Sequence, residues 1–178
     1  MARQVAVLLC LLLCACRRWP DSFPPPRQIP AVTPPPPTAG PSVLELQGRD
    51  VDRHILRDVM LGYSDAPWRW TARRPLLQLE VGGTVGVAFA VDYAIPEVTF
   101  KHTGPVTITF FINSQQFAAI HADKSGDGHF ERPVPDFWLR AGEENTVGAE
   151  IDKVWTDPRN GLKYGFILSR IGFIRAGA

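Results

Sequence analysis

Hydrophobic and small or polar positions alternate from 85 to 93. Val85, Val87, Phe89, Val91 and Tyr93 fall on one side, and Gly86, Ala88, Ala90 and Asp92 on the other. A period of two predicts a strand with one buried face. Residues 106–112, Val-Thr-Ile-Thr-Phe-Phe-Ile, predict a second strand rich in β-branched and aromatic side chains. Further strands are predicted over 76–81, 116–122, 129–134, 147–154 and 166–174. Gly82-Gly83, Asn113-Ser114, Gly126 with Asp127-Gly128, Gly142 and Asn160-Gly161 punctuate them as turn signals. Short strands at this spacing predict an all-β fold, an antiparallel β-sandwich or jelly roll. Val51, Ile55 and Val59, at four-residue spacing, are the only helix-like pattern, over 51–60. No internal repeat stands out.

The first 41 residues follow other rules. Arg3 precedes an unbroken apolar run from Val5 to Ala15, 11 residues long. A membrane-spanning helix needs about 20, so the run predicts an export signal peptide over 1–15. It ends in Leu13-Cys14-Ala15-Cys16. That ending resembles the lipobox of bacterial lipoproteins, Leu and two small residues before the acylated Cys, with Cys14 as a less usual small residue. The resemblance implies that Cys16 is lipidated, palmitate being one acyl chain, and anchors the chain to a membrane of the bacterial cell envelope. Arg17 rather than Asp after Cys16 leans toward the outer membrane over the inner. Between Pro20 and Pro41 there are 10 prolines. Proline fixes φ and lacks the N–H, so 16–41 is expected to be a disordered, extended linker and 42–178 the β-sandwich domain.

The chain has 178 residues, with 19 Lys plus Arg and 18 Asp plus Glu. Removal of 1–15 takes one basic residue, Arg3, and leaves the two counts equal. This balance gives no broad basic face, so nucleic acid is not an expected partner. All 3 cysteines lie in the first 16 residues, which excludes an intrachain disulfide or thiolate metal site from 17 onward.

A second resemblance rests on short motifs between 104 and 174. Gly104-Pro-Val-Thr-Ile-Thr-Phe-Phe-Ile-Asn113 precedes Pro133-Val-Pro135 and Ala141-Gly-Glu-Glu-Asn145. Glu150-Ile-Asp-Lys-Val-Trp155, Asp157-Pro-Arg159 and Tyr164-Gly-Phe-Ile-Leu-Ser-Arg-Ile-Gly-Phe173 follow. This looks like the C-terminal half of a galactose-binding-domain-like β-sandwich, similar to carbohydrate-binding modules. Trp68-Arg69-Trp70-Thr71 resembles the opening strand of such a domain. The departure is Asn160-Gly-Leu-Lys163, inserted between Arg159 and Tyr164.

No strong catalytic constellation is present: no His-Glu-x-x-His, no Gly-x-Ser-x-Gly, no phosphate loop and no Cys–His pair. His54, His102, His121 and His129 are scattered, though His121 and His129 flank one predicted hairpin and are placed to meet across it. Asp123-Lys-Ser125-Gly-Asp127-Gly128 matches the start of a calcium loop, with Asp123, Ser125 and Asp127 at alternate positions. Its twelfth position is Val134 rather than Glu, and a polar hairpin tip needs the same residues. No metal and no cofactor is expected, calcium being the weaker alternative.

Aromatic residues are the better clue, because sugars present apolar C–H faces to rings and hydroxyls to Arg, Asn and Asp. Trp155, Asp157, Arg159, Asn160 and Tyr164 are the candidate ligand residues, on a loop between the last core strands. Arg159 has two acidic partners within reach in sequence, Asp157 and Asp152. Trp68 and Trp70 share one face of a strand; burial in the core and a place in a site are both open to them. The sequence therefore predicts a non-enzymatic, envelope-anchored lipoprotein whose sandwich binds glycan or acts as an accessory module. A protein-interaction scaffold of the envelope with no sugar affinity is the alternative, and a small glycan hydrolase comes third.

Overall fold

The strand predicted over 85–93 forms β4 (Val87–Ile95), and that over 106–112 forms β5 (Val106–Ile112). The computed structural model describes residues 42–61 and 66–176. The signal segment, Cys16 and the proline-rich segment lie outside the described residues. Three elements precede β4: β1 (Val43–Glu45), β2 (Ile55–Val59) and the long β3 (Arg69–Glu80). After it come helix α1 (Glu97–Thr103), β5, β6 (Gln115–Ala122) and β7 (Gly126–Pro133). The chain ends through β8 (Glu144–Ile151), β9 (Trp155–Thr156), β10 (Lys163–Tyr164) and β11 (Ile167–Arg175). Among the described residues, no helix is long and apolar enough to cross a membrane.

The strands pair antiparallel in the order β6-β5-β8-β3-β11-β4-β7. Strand β3 serves both halves: Leu76–Glu80 pair with β8, and Arg69 and Trp70 with β11. The sheet curls over at β3, so its two ends face each other as the layers of a β-sandwich. Phe89 of β4 meets Phe110 of β5 with ring centroids 5.8 Å apart, and Phe130 of β7 stacks on Phe110 at 4.8 Å. Phe117 and Phe173 close the same cluster. Removing one fully buried Phe of this kind costs about 3–5 kcal/mol.

Two buried polar groups organise the loops. Asn145, fully buried, accepts from Asn113 Nδ2 (2.9 Å) and Arg140 N (2.9 Å), and donates to the carbonyls of Arg140 and Glu143. Asn113 sits at φ 48° in the β5–β6 turn, and its Oδ1 accepts from Thr146 N. The Asn113 and Ala141–Asn145 motifs thus meet as one hydrogen-bonded unit. The second group is Arg69, only 3% exposed. Its guanidinium donates to the carbonyls of Leu46 (3.2 Å), Met60 (3.0 Å) and Gly48, and lies 2.8 Å from Asp52 Oδ1.

Two expectations are corrected and one open choice is decided. Residues 51–60 are not helical: a 3-10 turn, Asp50–His54, gives way to β2, which pairs with β3. Edge pairing replaces helix because it buries Val59 while Asp58, at φ 56° in an irregular register, accepts Arg74 N at 2.8 Å. His121 and His129 do not meet. β6 and β7 are at opposite ends of the strand path, so the 122–126 link crosses between layers rather than closing a hairpin. Trp68 and Trp70 are not in the core either; the inward face of that stretch belongs to Arg69 and Thr71. Helix α1 went unread because Val98, Thr99 and Thr103 are poor helix formers and seven residues carry no period. Its signals are Pro96, the Glu97–Lys101 pair at 2.9 Å, and Gly104 at φ 65°.

Arg69→Met should destabilise the domain by about 3–5 kcal/mol, since it leaves Asp52 without its ion-pair partner and three carbonyls without their donor. Chemical denaturation reads this; a loss below about 1 kcal/mol would mean that the apolar core alone holds β3 in register.

Candidate functional site

The candidate residues between Trp155 and Tyr164 form one small hairpin. Trp155 pairs with Tyr164 and Thr156 with Lys163, so β9 and β10 project together between β8 and β11. The turn is built on Asp157. Its N–H donates to Leu162 O (2.9 Å), and its own carbonyl accepts from Gly161 N (2.8 Å), with Gly161 at φ 71°. Its carboxylate accepts from Arg159 N (2.9 Å), Nε (3.0 Å) and Nη2 (2.7 Å). Arg159 therefore pairs with Asp157, while Asp152 caps Thr107 N at 2.8 Å.

These residues divide by role. Asp157 is buried and braces the turn, whereas the Arg159 side chain is 83% exposed and offers its outer edge to solvent. Asn160 Nδ2 donates to Tyr164 Oη (3.2 Å), and Asn160 Oδ1 accepts from Leu162 N. The side-chain hydrogen bonds from Arg159, reinforced by its backbone N–H, hold the Asp157 carboxyl well below the usual carboxylate range.

Aromatic rings run from this hairpin across the surface. Tyr164 stacks on Trp155 with centroids 5.8 Å apart, and His102 at the end of α1 stacks on Trp155 at 5.4 Å and 9°. On the other side Tyr164 meets Trp70 of β3 edge-on at 4.8 Å, and Trp70 meets Trp68 at 6.4 Å. The order is His102, Trp155, Tyr164, Trp70, Trp68. All five rings are half-buried or exposed. Trp155, with neighbours on both sides, contributes mainly its edge, while Trp68 is 37% exposed.

At the Trp68 end the row opens into a groove of about 560 Å³ lined by Trp68, Asp92, Tyr93, Asp127, His129 and Ser169, among others. Strands β4 and β7 build it, in a register that sets Asp92 opposite His129 and Tyr93 opposite Gly128. A Cβ at Gly128 would lie 2.2 Å from Tyr93 Cζ, so only glycine lets the Tyr93 ring lie there. Burial pushes the Tyr93 phenol up. His129 Nδ1 hydrogen-bonds Asp92, which raises the imidazole above its ordinary value; Glu131, 3.7 Å from Nε2, adds to this. Sequence reasoning missed Asp92, Tyr93 and His129 as a group. The signal that joins them is a cross-strand register between segments more than thirty residues apart, which no local pattern carries.

Asp123 and Ser125 lie in the link between β6 and β7, and Asp127 belongs to β7, paired with Ala94. Among the described residues, no group of three or more His, Cys, Asp or Glu is placed to hold a metal ion.

The sequence matches no protein-family model, and no curated protein matches it significantly. Solved structures do resemble it in shape. A family 35 carbohydrate-binding module from Clostridium thermocellum aligns over 76% of this chain and 100% of its own, at 9% identity and a TM-score of 0.47. A second family 35 module, from an environmental isolate, covers 79% of this chain and 93% of its own, at 11% identity and a TM-score of 0.36. A family GH115 4-O-methyl-α-glucuronidase with specificity for decorated arabinogalactans aligns over 90% of this chain but 20% of its own, at 11% identity and a TM-score of 0.42.

The two ionised networks predict opposite pH dependences. Asp157 is lowered on folding, so its contribution is full above the ordinary aspartate range and is lost as pH falls through the lowered value. The Trp155 indole NMR signal should shift in that acid range, and should not do so in Asp157→Asn. His129 is raised, so its contribution is full below the ordinary histidine value and fades as pH rises through the raised one. Asp92→Asn should lower the His129 titration midpoint, followed by NMR, toward the ordinary value; an unchanged midpoint would remove Asp92 as the main cause.

Proposed function

We propose that this domain is a non-catalytic glycan-binding module whose ligand lies along the aromatic row between the β9–β10 hairpin and Trp68. The observation that carries the reading is the row itself: five contiguous rings at a protein surface, flanked by exposed hydrogen-bonding groups. Buried aromatic clusters serve packing, but rings left half in solvent present apolar area to a partner that is itself part apolar. A saccharide fits, with C–H patches for Trp70, Tyr164 and the edge of Trp155, and hydroxyls for Arg159, Asn160 and Lys163. The hairpin is braced internally by Asp157, so these groups are pre-organised and little ordering cost is charged to binding. A hydrolase would need a carboxyl group kept protonated near neutrality. Asp157 beside the row and Glu97 of α1 do not fit that role, since an adjacent cation, Arg159 or Lys101, lowers each.

We also propose that the module is displayed from a bacterial envelope membrane, the outer one by the Arg17 argument, through lipid on Cys16. Support comes from the 11-residue apolar run, the Leu13-Cys14-Ala15-Cys16 ending and the 10 prolines that follow as a spacer. Several acyl chains anchor firmly, since each buried CH₂ contributes about 0.8 kcal/mol.

Two experiments test these readings. The full chain should be retained on insoluble or immobilised polysaccharides, and Trp70→Ala and Tyr164→Ala should each weaken retention about tenfold or more while the fold persists by circular dichroism. Retention by no polysaccharide would favour the protein-interaction scaffold. Cys16→Ser should abolish acyl labelling and release the protein from membranes; unchanged fractionation and labelling would remove the anchor.

A further inference from the structure

The groove at Trp68 is chemically unlike the hairpin end of the row. The hairpin carries the exposed guanidinium of Arg159 and the amine of Lys163, whereas the groove carries carboxylates. Two basic side chains beside it, His129 and Arg170, each face acids, although Arg170 Nε makes no hydrogen bond. His129 is held by Asp92 and faces Glu131 at 3.7 Å. Arg170 lies 3.3 Å from Glu45 and 3.6 Å from Asp92. Asp127 is exposed in β7 at the end of the strand path, and among the described residues it has no ion-pair partner. The groove thus presents an excess of acceptors and negative charge beside an exposed indole. Its volume, about 560 Å³, falls within the roughly 300–1,000 Å³ of small-ligand sites.

We propose that this groove is a separate sugar subsite, that it takes an uncharged hexose unit, and that it turns away a uronate. The inference rests on the glycan-binding reading and names the sugar chemistry at one end of it. A neutral hexose brings hydroxyl donors, which the Asp92 and Asp127 carboxylates accept in charge-assisted hydrogen bonds, and a C–H face for Trp68. A uronate brings a third carboxylate into a groove that already holds two, and the basic side chains beside it already face acids. His129 positions Asp92 through its Nδ1 hydrogen bond. Tyr93, folded over Gly128, supplies the second apolar surface. Because Trp68 touches Trp70, one saccharide chain can occupy both row and groove.

The test uses affinity electrophoresis of the full chain against two neutral polymers, galactomannan and xyloglucan, and one anionic polymer, polygalacturonate. Wild type should be retarded by at least one neutral polymer and about tenfold less by polygalacturonate. Trp68→Ala and Asp127→Asn should each reduce retardation by the neutral polymer about fivefold or more, and Asp127→Lys should gain retardation by polygalacturonate. Asp127 is exposed, so its variants are expected to fold, and thermal melting checks this. Equal retardation by neutral and anionic polymers, unchanged in Asp127→Lys, would overturn the charge exclusion. Full neutral binding by both Trp68→Ala and Asp127→Asn, with Tyr164→Ala impaired, would overturn the subsite and leave the aromatic-row reading standing. No retardation of wild type by any of the three would overturn both.

Discussion

One buried guanidinium sets the face of the strand from which the proposed site grows. Arg69 points inward and gathers the carbonyls of Leu46, Gly48 and Met60 and the Asp52 carboxylate around it. Burying a charge is costly, and the cost is offset only when nearly every donor finds an acceptor. That requirement fixes which way β3 faces, because side chains alternate and a one-residue slip would exchange its two faces. With Arg69 and Thr71 inward, Trp68 and Trp70 must be outward. The two tryptophans of the stretch turn outward, Trp68 exposed and Trp70 half-buried, because a charged side chain is buried between them.

From that inversion the surface follows in order. Trp70 meets Tyr164 at 4.8 Å, so the β9–β10 hairpin packs on the outer face of β3. Trp155 comes with the hairpin and stacks on His102, so α1 is tied to the same row. Trp68, at the other end, walls a groove whose floor is set by the β4–β7 register. Rings thus serve as both mortar and surface, which explains why Trp155 offers an edge and Trp68 much more of its ring.

Charge is arranged locally rather than globally. The chain is nearly neutral, so long-range steering is weak and selectivity must come from contact. The hairpin end is cationic at its rim and the groove end anionic. The two ends are therefore suited to different chemical groups on one extended ligand, an asymmetry that equal totals of acid and base conceal.

How much was legible depended on range. Period-two alternation located β4, and β-branched and aromatic content located β5, closely; apolar stretches between turn signals placed β6, β7, β8 and β11 within a few residues. The Asn113 and Asn145 motifs were visible as turns, and Trp155, Asp157, Arg159, Asn160 and Tyr164 were visible as a local cluster, since all five lie within one hairpin. Three things were beyond local pattern. Whether Arg69 or its flanking tryptophans faced the core depended on carbonyls 9 to 23 residues away. Whether His129 met His121 or Asp92 depended on which strands pair across the sandwich. Whether Arg159 joined Asp157 or Asp152 depended on the turn that places them. Sequence by itself determined the longer strands, the turns between them and the class of side chain available for binding. Only the tertiary structure decided which faces turned inward, because that choice balances desolvation of one charge against acceptors supplied by distant segments.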